Sequence, residues 1–200
     1  FSRIKMNLKD YIREIPDYPQ KGVSFKDIST LVSNIDAFKY CLNEMSKYIF
    51  NIPKDIDYFA SIDARGFIFG SALSDRLSIP NILIRKKGKL PPPVISQLYD
   101  LEYGKSEIQV SKSILPENKN ILIIDDLIAS GGSAQASSDL LELSGNNVIG
   151  ICVGIKLTYL NPEKIFKKDI YSVCDYWFAE FSIKSSISLL YSLTINSRFL

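Results

Sequence analysis

The pattern of apolar and polar positions divides most of the chain into a small set of short elements. Between Ile35 and Phe50, Phe38, Leu42, Met45 and Ile49 recur at three- and four-residue steps. That spacing places them on one face of a helix. Ile56 to Ile62 (IDYFASI) reads as a strand, and Arg65 to Leu77 (RGFIFGSALSDRL) as the turn and helix after it. Asn81 to Lys86 (NILIRK) is a short buried strand, and Ser106 to Val110 (SEIQV) a strand near a sheet edge. Asn120 to Ile124 is a dry strand, Ser133 to Gly145 a helix closed by a glycine, and Asn147 to Ile155 a fully apolar strand. The Ser-rich stretch from about Trp177 fits no element.

Apolar strands alternating with helices of about 12 residues predict an α/β fold, a doubly wound, mostly parallel sheet with flanking helices. Ligands of such sheets sit at the carboxyl ends of the strands. Here those ends are Asp63 to Gly66, Arg85 to Lys89, Asp125 to Ser133, and Lys156 onward. A chain of 200 residues is expected to form one domain. We place it over residues 6–200, with Met6 as the native start and Phe1 to Lys5 outside the fold.

Composition narrows the chemistry by exclusion. The chain is 46% hydrophobic and 23% charged with a net charge of +2, which gives no argument for a nucleic-acid or membrane surface. The three cysteines, Cys41, Cys152 and Cys174, are far apart in sequence and lack C-x-x-C spacing, the pattern of reduced thiols in a cytoplasmic chain. No apolar run approaches the roughly 18 residues of a spanning helix, and no charged-then-apolar signal pattern opens the chain. There is no histidine. Histidine-based triads and histidine-ligated zinc are therefore excluded. Catalysis is left to carboxylates, Lys, Arg, Tyr, backbone amides or a hard metal ion.

The stretch ILIIDDLIASGGSA, Ile121 to Ala134, carries the most specific signal. Asp125 and Asp126 end an aliphatic strand and are expected to point to opposite sides, so one ligand reaches both only if it straddles the strand tip. A sugar with two adjacent hydroxyls does so, and the same carboxylates can hold Mg2+. Ala129, Ser130, Gly131, Gly132 and Ser133 then precede a helix. Converging amides, two hydroxyls and a helix N-terminus make a cradle for one phosphate group. Neither a Walker A loop nor a G-x-G-x-x-G fingerprint is present.

This stretch resembles the phosphoribosyl-pyrophosphate (PRPP) motif of the type I phosphoribosyltransferases, with Ser130 and Ser133 where Thr is common. The resemblance implies that Asp125 and Asp126 contact the ribose hydroxyls and that the loop holds the 5-phosphate. Four further segments, IPDYPQKGVSFKDIS, DARGFIFG, IRKKGKLP and YDLEYGKSEIQV, are similar to the adenine-using branch of that family, in its order and spacing. The similarity covers roughly Leu8 to Tyr176. It implies a pyrophosphate site at Ala64 and Arg65, with Arg85, Lys86 and Lys89 assisting; Ala64 replaces the Ser usual there. It implies an adenine pocket at Val23, Phe25, Lys26 and Leu157, in a small N-terminal hood of residues 6–34. Glu102 and Tyr103 would belong to a loop over the site, the first exchanging a proton near the base's N7, the second steadying closure.

The implied reaction is adenine and PRPP giving AMP and pyrophosphate, with Mg2+ held mainly through PRPP. A homodimer in the cytoplasm is expected, without nucleic-acid or membrane partners. Residues 177–200 are an extension of unknown role. The alternatives weighed are a relative using hypoxanthine, guanine or orotate, and a PRPP-binding regulator without turnover. A dehalogenase-type phosphatase is excluded, since Asp125-Asp126-Leu127 lacks its Asp-x-Asp motif.

Overall fold

A computed structural model of the chain describes residues 6–100 and 105–177. An antiparallel hairpin, β1 (Arg13–Pro16) and β2 (Ser24–Asp27), leads through the short α1 (Ser29–Ser33) into α2 (Ile35–Phe50). There follow β3 (Tyr58–Ile62), α3 (Gly66–Leu77), β4 (Asn81–Lys86), β5 (Val94–Asp100), β6 (Lys105–Ser111), β7 (Asn120–Ile128), α4 (Gly132–Leu143), β8 (Asn147–Leu157) and β9 (Asp169–Tyr176). The large sheet has the order β5-β6-β4-β3-β7-β8-β9. From β4 to β9 every pairing is parallel, while β6 is antiparallel to both β4 and β5.

The centre of this sheet follows from β7. Ile121 to Ile124 are all buried, but their alternation sends them to two cores. Leu122 and Ile124 pack with α2 residues Cys41, Leu42 and Met45 and α3 residues Phe69 and Leu73. Ile121 and Ile123 pack with Leu140 and Leu141 of α4. One strand thus carries helices on both faces, as the continuous apolar run predicts. The hood shares the first core through Leu8, Ile12, Ile28 and Leu31.

Two expectations need correction. β7 does not end at Ile124; it continues through the acidic pair to Ile128, because β8 extends beside it and pairs Asp125 with Val153 and Ile128 with Lys156. The stretch Ser106 to Val110 lies near the edge as expected, one strand inside β5, which forms the edge itself. β4 is not wholly buried: Leu83 is 37% exposed, on a face that neither α3 nor α4 covers completely. The predicted glycine closure holds, with Ser144 as the cap of α4 and Gly145 next at φ +81°.

Within the hood, the β1–β2 hairpin is joined to α1 through Asp27. Its carboxylate accepts the Ser29 amide at 2.9 Å and the Arg13 guanidinium. Those hydrogen bonds, from Ser29 first and then Arg13, hold the carboxyl down at about 2. A depressed carboxyl contributes stability that is present above the ordinary carboxylate value and lost as pH falls through the folded one. Asp27→Asn is expected to cost about 1 kcal/mol near pH 7, discounted because Arg13 is largely exposed. The gap between variant and wild type in urea unfolding should close as pH falls from about 4 to about 2.

Candidate active site

The tips of β3 and β7 open into a cavity of about 510 Å3. Its lining includes Asp63, Ala64 and Arg65, then Asp125 and Asp126, and the whole run Ala129 to Ala134. The sequence places the two carboxylates on opposite sides of a strand, yet both reach this one cavity. The alternation slips at the pair: Ile124 and Leu127, three residues apart, pack against the same core, where a strict period of two would part them. Asp125 Oδ1 accepts the Asp126 amide at 2.8 Å.

The pair is expensive to hold charged. Burial raises the Asp125 pKa well above the usual carboxylate range, and the neighbouring Asp126 charge raises it further. Burial also raises Asp126, and the Arg65 guanidinium works against that shift. Arg65 Nε lies 3.1 Å from Asp126 Oδ2, an ion pair without hydrogen-bond alignment, so this buried oxygen has no hydrogen-bond partner. Gly66, first residue of α3, makes the approach possible. A Cβ there would stand 2.7 Å from Asp125 Oδ1 and 3.0 Å from the Ile124 carbonyl oxygen.

The phosphate-friendly loop caps α4. Gly131 takes φ +91°, where other residues are strained, and a Cβ on it would meet the Pro162 carbonyl oxygen at 2.9 Å. The loop is thus wedged against the turn after β8. Beside it, the Asp63–Ala64 peptide is cis. Of the three cations expected at and just beyond the end of β4, only Lys86 lines the cavity. Arg85 turns to Asp63, Nε to Oδ2 at 3.1 Å, with its guanidinium over the Phe67 ring. Lys89 is exposed.

A second cavity of about 430 Å3 lies against the hood. Val23, Phe25, Lys26 and Leu157, all expected from sequence, line it with Tyr159 and Leu160. Arg65, Leu127 and Ala129 line both cavities and form their common wall. The Arg65 guanidinium sits over the Phe25 ring at 5.4 Å and donates to the Lys26 carbonyl oxygen at 3.3 Å. Lys26 itself does not offer its charge to the cavity. Its buried Nζ is paired with Glu14, bonds Ser24 Oγ at 3.0 Å and lies 4.3 Å from the Tyr176 ring centroid. The Val23 amide donates to the Gln20 carbonyl and the Val23 carbonyl accepts from Tyr18, so the turn engages both groups. Glu102 and Tyr103 lie outside the described residues.

With this geometry the chain can be compared with known proteins. A family model described as the phosphoribosyl transferase domain matches residues 32–185. The adenine phosphoribosyltransferase of Pelagibacter ubique is 45% identical over 168 residues, 84% of this chain and 95% of the relative. The chain belongs to the adenine phosphoribosyltransferase family. Among solved structures, the family member from Thermoanaerobacter pseudethanolicus superposes with a TM-score of 0.80 at 38% identity, covering 84% of this chain and 98% of that one. The enzyme from Saccharomyces cerevisiae, crystallised with an imino-altritol bisphosphate and adenine, gives 0.79 at 28% identity, covering 82% and 95%.

Several cavity residues were not read from the sequence. Leu127 and Tyr159 carry no local signal of a site, and Tyr99 belongs to β5, which the apolar pattern does not reveal. The three prolines before Val94, followed by Val94 and Ile95, are the signal that could have marked the start of β5. Glu14, partner of Lys26, had no local signal.

The raised pKa of Asp125 has a consequence for stability. A carboxyl raised on folding favours the fold only while protonated, so its contribution is lost as pH climbs from about 4 through the folded value. Asp125→Asn keeps an oxygen for the Asp126 amide and removes the buried charge. Without ligand near pH 8 it should unfold a few degrees above wild type in Tm. Scanning calorimetry should show that gain shrinking as pH is lowered towards about 4.

Proposed function

We propose that this protein transfers the 5-phosphoribosyl group of PRPP to adenine, giving AMP and pyrophosphate, with Mg2+ as cofactor. The observation that carries the reading is the pair of cavities with one shared wall: an acidic and amide-rich site beside a slot walled by Phe25, Leu127 and Leu157. A flat base in the slot and a ribose at the acidic pair meet across Arg65 and Ala129. Adenine N9 would then attack the ribose C1 as pyrophosphate leaves.

Each residue has a task in that step. Asp125 and Asp126 accept hydrogen bonds from the ribose hydroxyls, and their charge favours the positive ring that develops as the bond to pyrophosphate breaks. Ala129 to Ser133 hold the 5-phosphate by amides, hydroxyls and the α4 dipole. Ala64, Arg65 and Lys86 face the pyrophosphate, with Arg85 and Lys89 around it. Phe25 stacks on the base, Leu157 closes the other side, and main-chain groups at Val23 and Lys26 read its edge once the turn at Gln20 yields the Val23 amide. Glu102 exchanges a proton with the base and Tyr103 steadies the closed loop, roles carried by family resemblance alone. Positioning supplies most of the rate.

The cofactor fits the donor set. Asp126 Oδ2 is buried without a hydrogen-bond partner. No third carboxylate or thiol joins the pair as a cluster among the described residues. That suits Mg2+ held by one or two carboxylates and mainly by substrate oxygens. When bound, the ion neutralises charge on the departing pyrophosphate.

We take residues 6–200 as one domain, with 6–34 as the hood over the base and 177–200 as an extension of unknown role. Among the described residues no helix is long and apolar enough to cross a membrane, and Cys41, Cys152 and Cys174 are buried thiols. The buried thiols support a cytoplasmic protein. The exposed Leu83 of β4 and Ile68 of α3, 37% and 40% accessible, support a homodimer. Leu83→Glu should shift the protein towards monomer in analytical ultracentrifugation.

The deciding assay is AMP formation from adenine, PRPP and Mg2+, with hypoxanthine, guanine and orotate in parallel. Adenine alone should turn over, and chelation of the metal should stop it. Phe25→Ala should raise KM for adenine roughly 10- to 100-fold, the range of base–aromatic stacking, with KM for PRPP little changed. Turnover with another base, or none with adenine, would reject the reading.

A further inference from the structure

We infer that Tyr99 is a ligand of the substrate's 5-phosphate, gripping it from the edge hairpin across the cavity from the α4 cradle; this rests on the phosphoribosyl-transfer reading above. Tyr99 lies on β5 directly opposite Ser106 of β6, and both side chains line the cavity. β5 packs against α4. The hairpin is therefore a wall of the phosphate site, and Tyr99 is the residue of that wall that meets the cradle.

The contact itself is unusual. Ser133 Oγ and Tyr99 Oη stand 3.4 Å apart, beyond the roughly 2.5–3.0 Å of a good O–H···O bond. Neither hydroxyl has another hydrogen-bond partner among the described residues. Two half-buried hydroxyls thus face one cavity, each poorly satisfied by the other. An anionic oxygen seated between them accepts from both at normal length.

The charge balance of the cavity supports the same assignment. No Lys or Arg lies in the cradle Ala129 to Ala134. Among the described residues, the cations lining the cavity are Arg65, already engaged with Asp126 and the Lys26 carbonyl, and Lys86. A phosphate dianion at the α4 N-terminus is therefore met by neutral donors, and a phenol on the far wall adds one that the loop cannot supply. A ring needed only for packing against α4 would serve equally well as Phe.

Tyr99→Phe separates the two roles because it keeps the ring. With PRPP varied at saturating adenine, KM for PRPP should rise roughly tenfold, the loss of one hydrogen bond to a charged group. KM for adenine at saturating PRPP should stay within about twofold. AMP should lose the same factor as a competing ligand while adenosine, which lacks the phosphate, binds as in wild type. Ser133→Ala combined with Tyr99→Phe should weaken PRPP by less than the product of the single effects. An unchanged KM for PRPP, or equal weakening of AMP and adenosine, would overturn the assignment. If wild type forms no AMP from adenine, the reaction reading fails by itself. Calorimetric binding of ribose 5-phosphate then decides on Tyr99, and equal affinity in the two proteins rejects it.

Discussion

Two carboxylates held side by side in a buried strand set the terms for everything near them. Removing each charge from water costs several kcal/mol, and Asp125 and Asp126 repel each other as well. One amide and one guanidinium meet this only in part. The remainder is carried by the sheet: β7 is central, buried on both faces and flanked by parallel partners, so the strand has no easy way to turn the pair outward. The slip in alternation at the pair and the bare α carbon of Gly66 are what let both acids open on one side.

The N-terminal hairpin is tied into the same balance. Glu14 pins the buried Lys26, the Tyr176 ring lies under its ammonium, and the Lys26 carbonyl then receives Arg65. Arg65 in turn faces Asp126 and covers Phe25. A chain of contacts therefore runs from β9 at one sheet edge, through the hood, to the acidic pair in the centre. The guanidinium is oriented by three groups from two different elements, β2 and β7, which is why a residue 38% exposed at its side chain can hold a defined place.

The sequence made the parallel core legible because its strands are continuous aliphatic runs and its helices keep a 3.6-residue period. It hid β5 and β9 because edge strands are half-solvated and mix polar with apolar residues, as VISQLYD and DIYSVCDY do. The cradle and the acidic pair were legible as one contiguous motif. Arg85 and Lys86 were indistinguishable as neighbours on a basic loop, and only the fold turns the first to Asp63 and the second to the cavity. Glu14, Leu127 and Tyr159 gain meaning from partners distant in sequence, which no local pattern encodes.

The wall of Arg65, Leu127 and Ala129 is only one side chain thick between the two cavities. A rigid molecule carrying a flat heterocycle and an anionic group on a short linker would enter both at once. Its second contact would form at the effective concentration set by that linker instead of the concentration in solution. Two modest fragments could then combine into one tight inhibitor, provided the linker passes Arg65 without breaking its contact with Asp126.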